Sequence, residues 1–345
     1  MKLESLNQNS EARVDLTLLV CTYNRCDDLR ELLETAVSQE MHGKYSYEIL
    51  VVDNNSTDAT RSVVESFVTQ GHDNLRYLFE PKQGKANALN TGLPAIRGWC
   101  YAIADDDFLL PHNWAYEILE GFRKHPHVAF VSGKVLPEYQ GEVPDWLTKK
   151  HWSAIAMSDY GDDEFYVDLS NQVCLLACSF RSSDVREVGD YHSELGPKSS
   201  GTGGIEDLEL LQRLWSAGKK GVYLPHLSFR HKATADRLTK AYHRRWHTDH
   251  GRQYAIMRHE EVEKSASRLF DVPVYLYREA MKDGCRWLWY SLQGNRDEAF
   301  WHETHLRFFR GFFRQRRSDR RRSGAQRLSQ EILGLFGLIA RRTTS

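Results

Sequence analysis

The chain has 345 residues, of which 41% are hydrophobic, 12% aromatic and 27% charged, with a formal net charge of -1. That length allows two domains or one large α/β domain with an appendage, and the composition is too apolar for a disordered chain. No run of about 18 apolar residues is present, so a membrane-spanning helix is not expected, and the polar stretch Met1 to Asp15 lacks the apolar core of a secretion signal.

Leu16 to Cys21 is a short apolar run that reads as a buried strand. After Thr22-Tyr23-Asn24-Arg25, the residues Leu29, Leu32, Leu33, Ala36 and Val37 fall on one helical face, with Asp27 or Asp28 as the expected N-cap. Glu48 to Val52 is a second buried strand, stopping at the polar turn Asp53 to Asp58. The following helix buries Val63, Val64, Phe67 and Val68. A shorter strand at Leu75 to Phe79 leads to Gly84-Lys85 and a helix through Ala95. The strand Trp99 to Ala104 ends at Asp105-Asp106-Asp107. Alternating strands and helices with continuous apolar strands predict a mostly parallel sheet with helices on both faces. Such sheets bind ligands at the carboxyl ends of their strands, where three polar clusters of this chain fall.

Neither GxGxxG nor GxxxxGK[ST] occurs, which disfavours a dinucleotide-binding crossover and a P-loop. Three adjacent carboxylates at a strand end repel one another unless a cation neutralises them. A divalent metal held there would also supply the positive charge that nucleotide phosphates need; Mn2+ or Mg2+ suits hard oxygen ligands. A solvated turn is the alternative reading of the triplet taken alone.

With these pieces in order, the sequence resembles the family 2 glycosyltransferases, which are inverting enzymes of GT-A (Rossmann-like) fold. The matching stretches are LTLLVCTYNR (16–25), EILVVDNNSTDAT (48–60), GKANALNTG (84–92), YAIADDD (101–107) and GGIEDLELL (203–211). The resemblance implies that Thr22, Tyr23, Arg25 and Asp53 line the nucleoside site, with Lys85, Asn87, Asp105 and Asp106 around the rest of the nucleotide. It further implies Asp107 and Asp105 as metal ligands, with His231 as a third. Asp207 would be the catalytic base and Glu206 an organiser of the acceptor pocket, at the start of a helix carrying Leu208, Leu211, Leu214 and Trp215. An acidic pair that only offsets a helix dipole is the competing reading.

Gly196 to Gly204 has the composition of a mobile loop. Asp236 to Arg252 reads as a helix whose arginine-tryptophan cluster partly matches that of membrane synthases in the family. Beyond residue 260 the chain reads as helical, with Pro273 between two helices and Asp271 as a cap. Trp287, Trp289, Tyr290, Phe300 and Trp301 are expected to pack inside that region. Residues 301–345 hold eleven arginines against three acids, a charge of +8, which leaves -9 on the remainder. Three readings of this tail stay open: a packed helix with solvated arginines, an anionic membrane surface, and, less favoured, nucleic acid. The six cysteines, at 21, 26, 100, 174, 178 and 285, form no CxxC pair and suit reduced thiols in the cytoplasm, including the inner face of its membrane.

The expected organisation is a flexible N-terminus (1–15), a GT-A domain (16–255) and an α-helical C-terminal region with a basic tail (256–345). The expected activity is transfer of a sugar from a nucleoside-diphosphate sugar, with a lean to UDP, to a hydroxyl acceptor that is carbohydrate, lipid-linked or other. A sugar nucleotidyltransferase is a rival, weakened because Cys21 to Asp27 contains no glycine; a catalytically silent binding protein recruited by the tail is another.

Overall fold

The computed structural model describes residues 14–196, 202, 204–258 and 267–323. They divide into two compact units that interleave along the chain. The first takes its described residues from 1–138, 157–191 and 210–232, the second from 139–156, 192–209 and 233–345.

The first unit is built on a sheet whose parallel half contains β1 (Leu16–Thr22), β2 (Tyr47–Asp53), β3 (Leu75–Phe79) and β4 (Cys100–Asp105). Their order is β3-β2-β1-β4, and β1 lies between β2 and β4 with Thr22 opposite Asp53 and Cys21 opposite Asp105. Leu16, Leu19, Val20 and Ile49 to Val52 are fully buried, as strands covered on both faces require. Each such side chain contributes about 1.5–3 kcal/mol of burial free energy. Helix α1 (Cys26–Val37) buries Leu29, Leu32, Leu33 and Ala36, and α2 (Thr60–Thr69) buries Val63, Val64 and Phe67. Val68 departs from expectation and is exposed.

Beyond β4 the sheet turns antiparallel. The strand β5 (Phe108–Leu109) pairs with β9 (Gly221–Thr234); β6 (Phe130–Gln140) and β8 (Ser179–Arg181) pair with each other; β7 (Phe165–Val167) pairs with β9. Helices α3 (Lys85–Gly92), α4 (Trp114–Lys124) and α5 (Ser182–Val188) complete this part, and α6 (Glu206–Ser216) buries Leu210, Leu211, Leu214 and Trp215. Its Leu208, placed on the buried face from sequence, is only half-buried.

The second unit is mainly helical: α7 (Lys240–Met257), α8 (Val274–Leu292) and α9 (Arg296–Ser323). The expected start of α7 at Asp236 moves to Lys240. Thr234 donates to Asp236 in a tight turn at 2.6 Å, and Thr239 caps the helix by accepting from the Tyr242 N–H at 3.2 Å. Helices α7 and α9 cross at glycines. A Cβ on Gly251 would sit 2.0 Å from the Phe308 carbonyl oxygen, and one on Gly311 would sit 1.9 Å from that of Thr248. Arg244 forks onto Glu303 beside this crossing at 2.7 and 2.8 Å.

Asp271 is not a helix cap. It lies in the tight turn between β10 (Arg268–Leu269) and β11 (Val272–Pro273), at φ 64°, and pairs at 2.6 Å with Arg316; both side chains are fully buried. Phe300 is buried as expected and Tyr290 stacks on His302, but Trp287 and Trp289 are exposed, contrary to the packing inferred from sequence.

Three buried histidines surround the aromatic centre of this unit. Trp146 meets His151, His243 and Phe300 edge-on at 4.9–5.4 Å, and His247 lies one helical turn beyond His243. Burial, then neighbouring positive charge, lowers His151 and His243 to about 4 and His247 to about 3. Below about pH 6.5 the unfolded chain takes up protons that these folded histidines refuse, so stability is full above that pH and falls as pH drops toward 4. Thermal melts are expected to show a lower midpoint near pH 5 than near pH 7.5, with a smaller difference in His243→Leu.

Candidate active site

The carboxyl ends of β1, β2 and β4 stand level, so Thr22, Asp53 and Asp105 share one edge of the first unit. The loops leaving those ends are laced together. The Asn24 N–H donates to Ser56 Oγ at 2.9 Å, and the Thr57 N–H donates to Asn24 Oδ1 at 2.7 Å. Asp58, across the loop, caps α1 by accepting from the Cys26 N–H at 3.0 Å; neither Asp27 nor Asp28 is its N-cap. Asp28 instead pairs with Lys232 at 2.8 Å, as does Glu31 at 2.9 Å.

Asp53 is buried, accepting from the Ser56 N–H at 2.9 Å and from the Tyr77 hydroxyl at 2.8 Å. Burial and that carboxylate push Tyr77 up to about 12, so it remains a donor. Asn54 accepts from the Gly84 N–H at 2.7 Å, and Gly84 enters α3 at φ 130°, a backbone shape that side chains rarely adopt. The next residue, Lys85, reaches Asp105 at 2.8 Å, while Asn87 donates to the Gln83 carbonyl at 3.0 Å. Tyr23 is half-buried in the β1 loop.

The aspartate triplet is partly neutralised by protein cations. Asp106 accepts from Thr22 Oγ1 at 2.8 Å, and one Arg25 nitrogen bridges Asp106 and Asp107 at 2.9 Å each. Burial and then the Asp107 charge push Asp106 up to about 7, against the pull of Arg25. The two carboxylates in turn hold Arg25 protonated despite its burial. Part of the positive charge that the sequence-based reading assigned to an outside cation is thus supplied by the protein itself. Arg25 and Lys85 already supply positive charge there.

His231 comes to the triplet through the sheet. Strand β5 pairs with β9 with Phe108 opposite His231, and the Lys232 N–H donates to the Asp107 carbonyl at 3.0 Å. That register sets His231 Nε2 2.9 Å from Asp107 Oδ1 with both side chains nearly fully buried. An imidazole and a carboxylate converging at one point are two donors of the kind a divalent cation accepts, while Asp105, one-third exposed, is paired with Lys85.

Glu206 and Asp207 open α6 in the second unit, where Glu206 is buried and Asp207 half-buried. Gly196 packs against the Glu206 carboxylate and donates its N–H to Gln253 at 3.0 Å. Thr202 donates from backbone and hydroxyl to Asp249 at 3.1 and 3.0 Å. Gln253 and Asp249, one turn apart on α7, thus anchor both sides of the Gly-Ser segment. Their i,i+4 spacing was the available sequence signal. Residues 197–201 and 203 of that segment lie outside the described residues.

Residues 17–186 match the family model of Glycosyl transferase family 2. They are a family 2 glycosyltransferase domain. The domain is 34% identical over 100 residues to glycosyltransferase AglE of Haloferax volcanii, an alignment covering 29% of this chain and 32% of AglE. It is 27% identical over 118 residues to poly-beta-1,6-N-acetyl-D-glucosamine synthase of Staphylococcus epidermidis, covering 34% of this chain and 28% of that protein. The chain thus spans about a third of the length of these curated relatives. Among solved structures, the mannosyltransferase PcManGT of Pyrobaculum calidifontis, in complex with GDP-Man and Mn2+, superimposes with a TM-score of 0.53 at 17% identity. That match covers 96% of this chain and 81% of PcManGT. S. aureus TarS 1-349 in complex with UDP-GlcNAc gives 0.50 at 15% identity, covering 91% and 93%. At such identities the likeness is one of fold, and the fold is the GT-A glycosyltransferase fold.

Proposed function

We propose that this protein transfers a sugar from a nucleoside-diphosphate sugar to an acceptor hydroxyl by a single, metal-assisted displacement with inversion. The observation that carries the reading is the convergence of Asp107 and His231, with Asp105 held by Lys85 at the end of the neighbouring strand, in a family 2 domain. PcManGT is solved with GDP-Man and Mn2+ and TarS with UDP-GlcNAc, which supports a nucleotide-sugar donor and a divalent cation here. The lean is to a UDP-sugar, and the named relatives favour acceptors in envelope polysaccharide or other glycoconjugates.

In this reading Thr22, Tyr23, Arg25 and Asp53 line the nucleoside side, with Asp105 and Asp106 next to them. Asp107, Asp105 and His231 would hold Mn2+ or Mg2+, which would supply positive charge for the departing diphosphate. Lys85 lies at the same corner and adds a second positive charge for that oxygen cluster, while Asn87 keeps its helix start in place. Arg25 now bridges two carboxylates, and a cation on Asp107 would free part of its guanidinium for phosphate oxygens.

Asp207 is proposed as the base. The N-terminal turn of α6 favours its ionised form, and the Glu206 carboxylate beside it shapes the acceptor side. The acceptor O–H gives its proton to Asp207 as its oxygen bonds to the anomeric carbon. The bond from that carbon to the diphosphate breaks, and the nucleoside diphosphate departs with the electron pair. Exposed Arg310, Arg314 and Arg317 on α9 support contact with an anionic membrane surface through 301–345, of which 324–345 lie outside the described residues. The proposed division of the chain is a GT-A domain over 16–255 followed by a helical region.

Asp107→Ala is expected to abolish Mn2+-dependent nucleotide binding in calorimetry; affinity equal to wild type would remove the metal assignment. Asp207→Asn is expected to bind donor normally but lose transfer by about 10²-fold or more, and full turnover would remove it as base.

A further inference from the structure

Helices α8 and α9 form an antiparallel pair that uses its apolar residues unequally. On α9, Phe308, Phe312 and Phe313 are packed with Ala255, Val272, Tyr254, Leu276 and Tyr277. These α9 aromatics are therefore largely occupied within this unit. On α8 the reverse holds, for no residue of this helix is buried. Met281, Leu288, Trp289 and Leu292 are 69, 53, 61 and 77% exposed, and Tyr275 is also more than half exposed.

These exposed residues are not scattered. Met281, Cys285, Leu288 and Leu292 follow one another at steps of four, three and four, which places them in one row along the helix. Tyr275, Lys282 and Trp289, spaced by seven, form the adjoining row. Arg278, Lys282 and Arg286 are exposed along α8, with Glu279 the sole exposed acid between them and paired to Lys282 at 2.7 Å. The other acid, Asp283, is drawn away to His302 at 2.7 Å and His305 at 3.2 Å. The result is a strip about 26 Å long at about 1.5 Å per residue, with an apolar row of about 17 Å from Met281 to Leu292 and cations along its flank.

We propose that this face of α8 lies in the interface of an anionic lipid surface, with Met281, Leu288, Trp289 and Leu292 entering the headgroup boundary. The inference rests on the membrane reading above and moves the inserting element from the tail to α8. Charge complementarity selects the occupant. A row of leucine and methionine with tryptophan and tyrosine beside it, edged by Arg278, Lys282 and Arg286, matches a helix lying in a lipid interface. A second copy laid on the same face would bring those three cations against their own equivalents, which costs rather than stabilises. Among the described residues no helix is long and apolar enough to cross a membrane, so the contact is of the lying kind.

The test is sedimentation of the full chain with vesicles of phosphatidylcholine mixed with phosphatidylglycerol, and with phosphatidylcholine alone. Wild type is expected to pellet with the anionic vesicles only. The double variant Leu288→Glu/Leu292→Glu should lose roughly tenfold or more of that affinity, with its circular dichroism and nucleotide binding unchanged. Undiminished vesicle binding by the double variant overturns the α8 assignment. If binding is then lost in Arg310→Glu/Arg314→Glu/Arg317→Glu, the broader membrane reading survives through α9. No vesicle binding by wild type overturns both. A wild-type dimer in light scattering that the double variant turns into a monomer, without vesicle binding, assigns the face to a second copy and overturns the proposal. Binding that arises only when residues 324–345 are removed shows the face closed in the full chain and likewise overturns it.

Discussion

The site depends on how three neighbouring carboxylates are kept from repelling one another. Asp105, Asp106 and Asp107 each have a different cationic or hydroxyl partner: Lys85 for the first, Thr22 and Arg25 for the second, Arg25 and His231 for the third. Buried Asp106 carries a desolvation cost which, with the Asp107 charge, shows as its raised pKa. The triplet is therefore divided in its pairings. Its middle member ties β1 to β4, and the proposed function gives the outer two to the ligand. A cation entering between Asp107 and His231 would exchange with Arg25 rather than fill a naked acidic hole, so its affinity would reflect the difference between two partly neutralised states.

Much of this was legible because local patterns agree with the global arrangement. Apolar strands of five to seven residues ending in polar clusters place Thr22, Asp53 and Asp105 at one sheet edge, and the register confirms their level. What sequence could not supply were partners far along the chain. Lys232 under α1, Tyr77 behind Asp53 and Asp58 capping α1 each depend on pairings that no local period encodes. Asp271 illustrates the same gap. Its neighbours suggest a cap, yet Arg316, 45 positions later, makes it one half of a buried ion pair. Removing either half would leave a buried charge to a longer contact, Arg268 for Asp271 at 3.3 Å or Asp319 for Arg316 at 3.8 Å, which is why such pairs hold position even where they add little net stability.

The helical unit shows where composition misleads. Its tryptophans read as core because large aromatics usually are, but Trp287 and Trp289 face outward while histidines fill the centre beside Trp146. Histidine can take that place only as the neutral ring, so the packing near Trp146 doubles as a proton-sensitive element. The arginines of α9 divide likewise. Arg316 is interior and Arg307 is clasped to Glu303, whereas Arg310, Arg314 and Arg317 face outward. Net charge counted along the sequence hides this sorting.

The short ladder of Phe108 and Leu109 against Arg230 and His231 has an evolutionary corollary. Between those two pairing partners the chain makes an excursion of well over a hundred residues before returning. A strand alternates faces at each step, so a return displaced by one position would point His231 away from Asp107. The loops of the excursion can thus vary in length without disturbing this pair, provided the homecoming stays in phase, while β6, β8 and the Glu206-Asp207 turn within it carry constraints of their own.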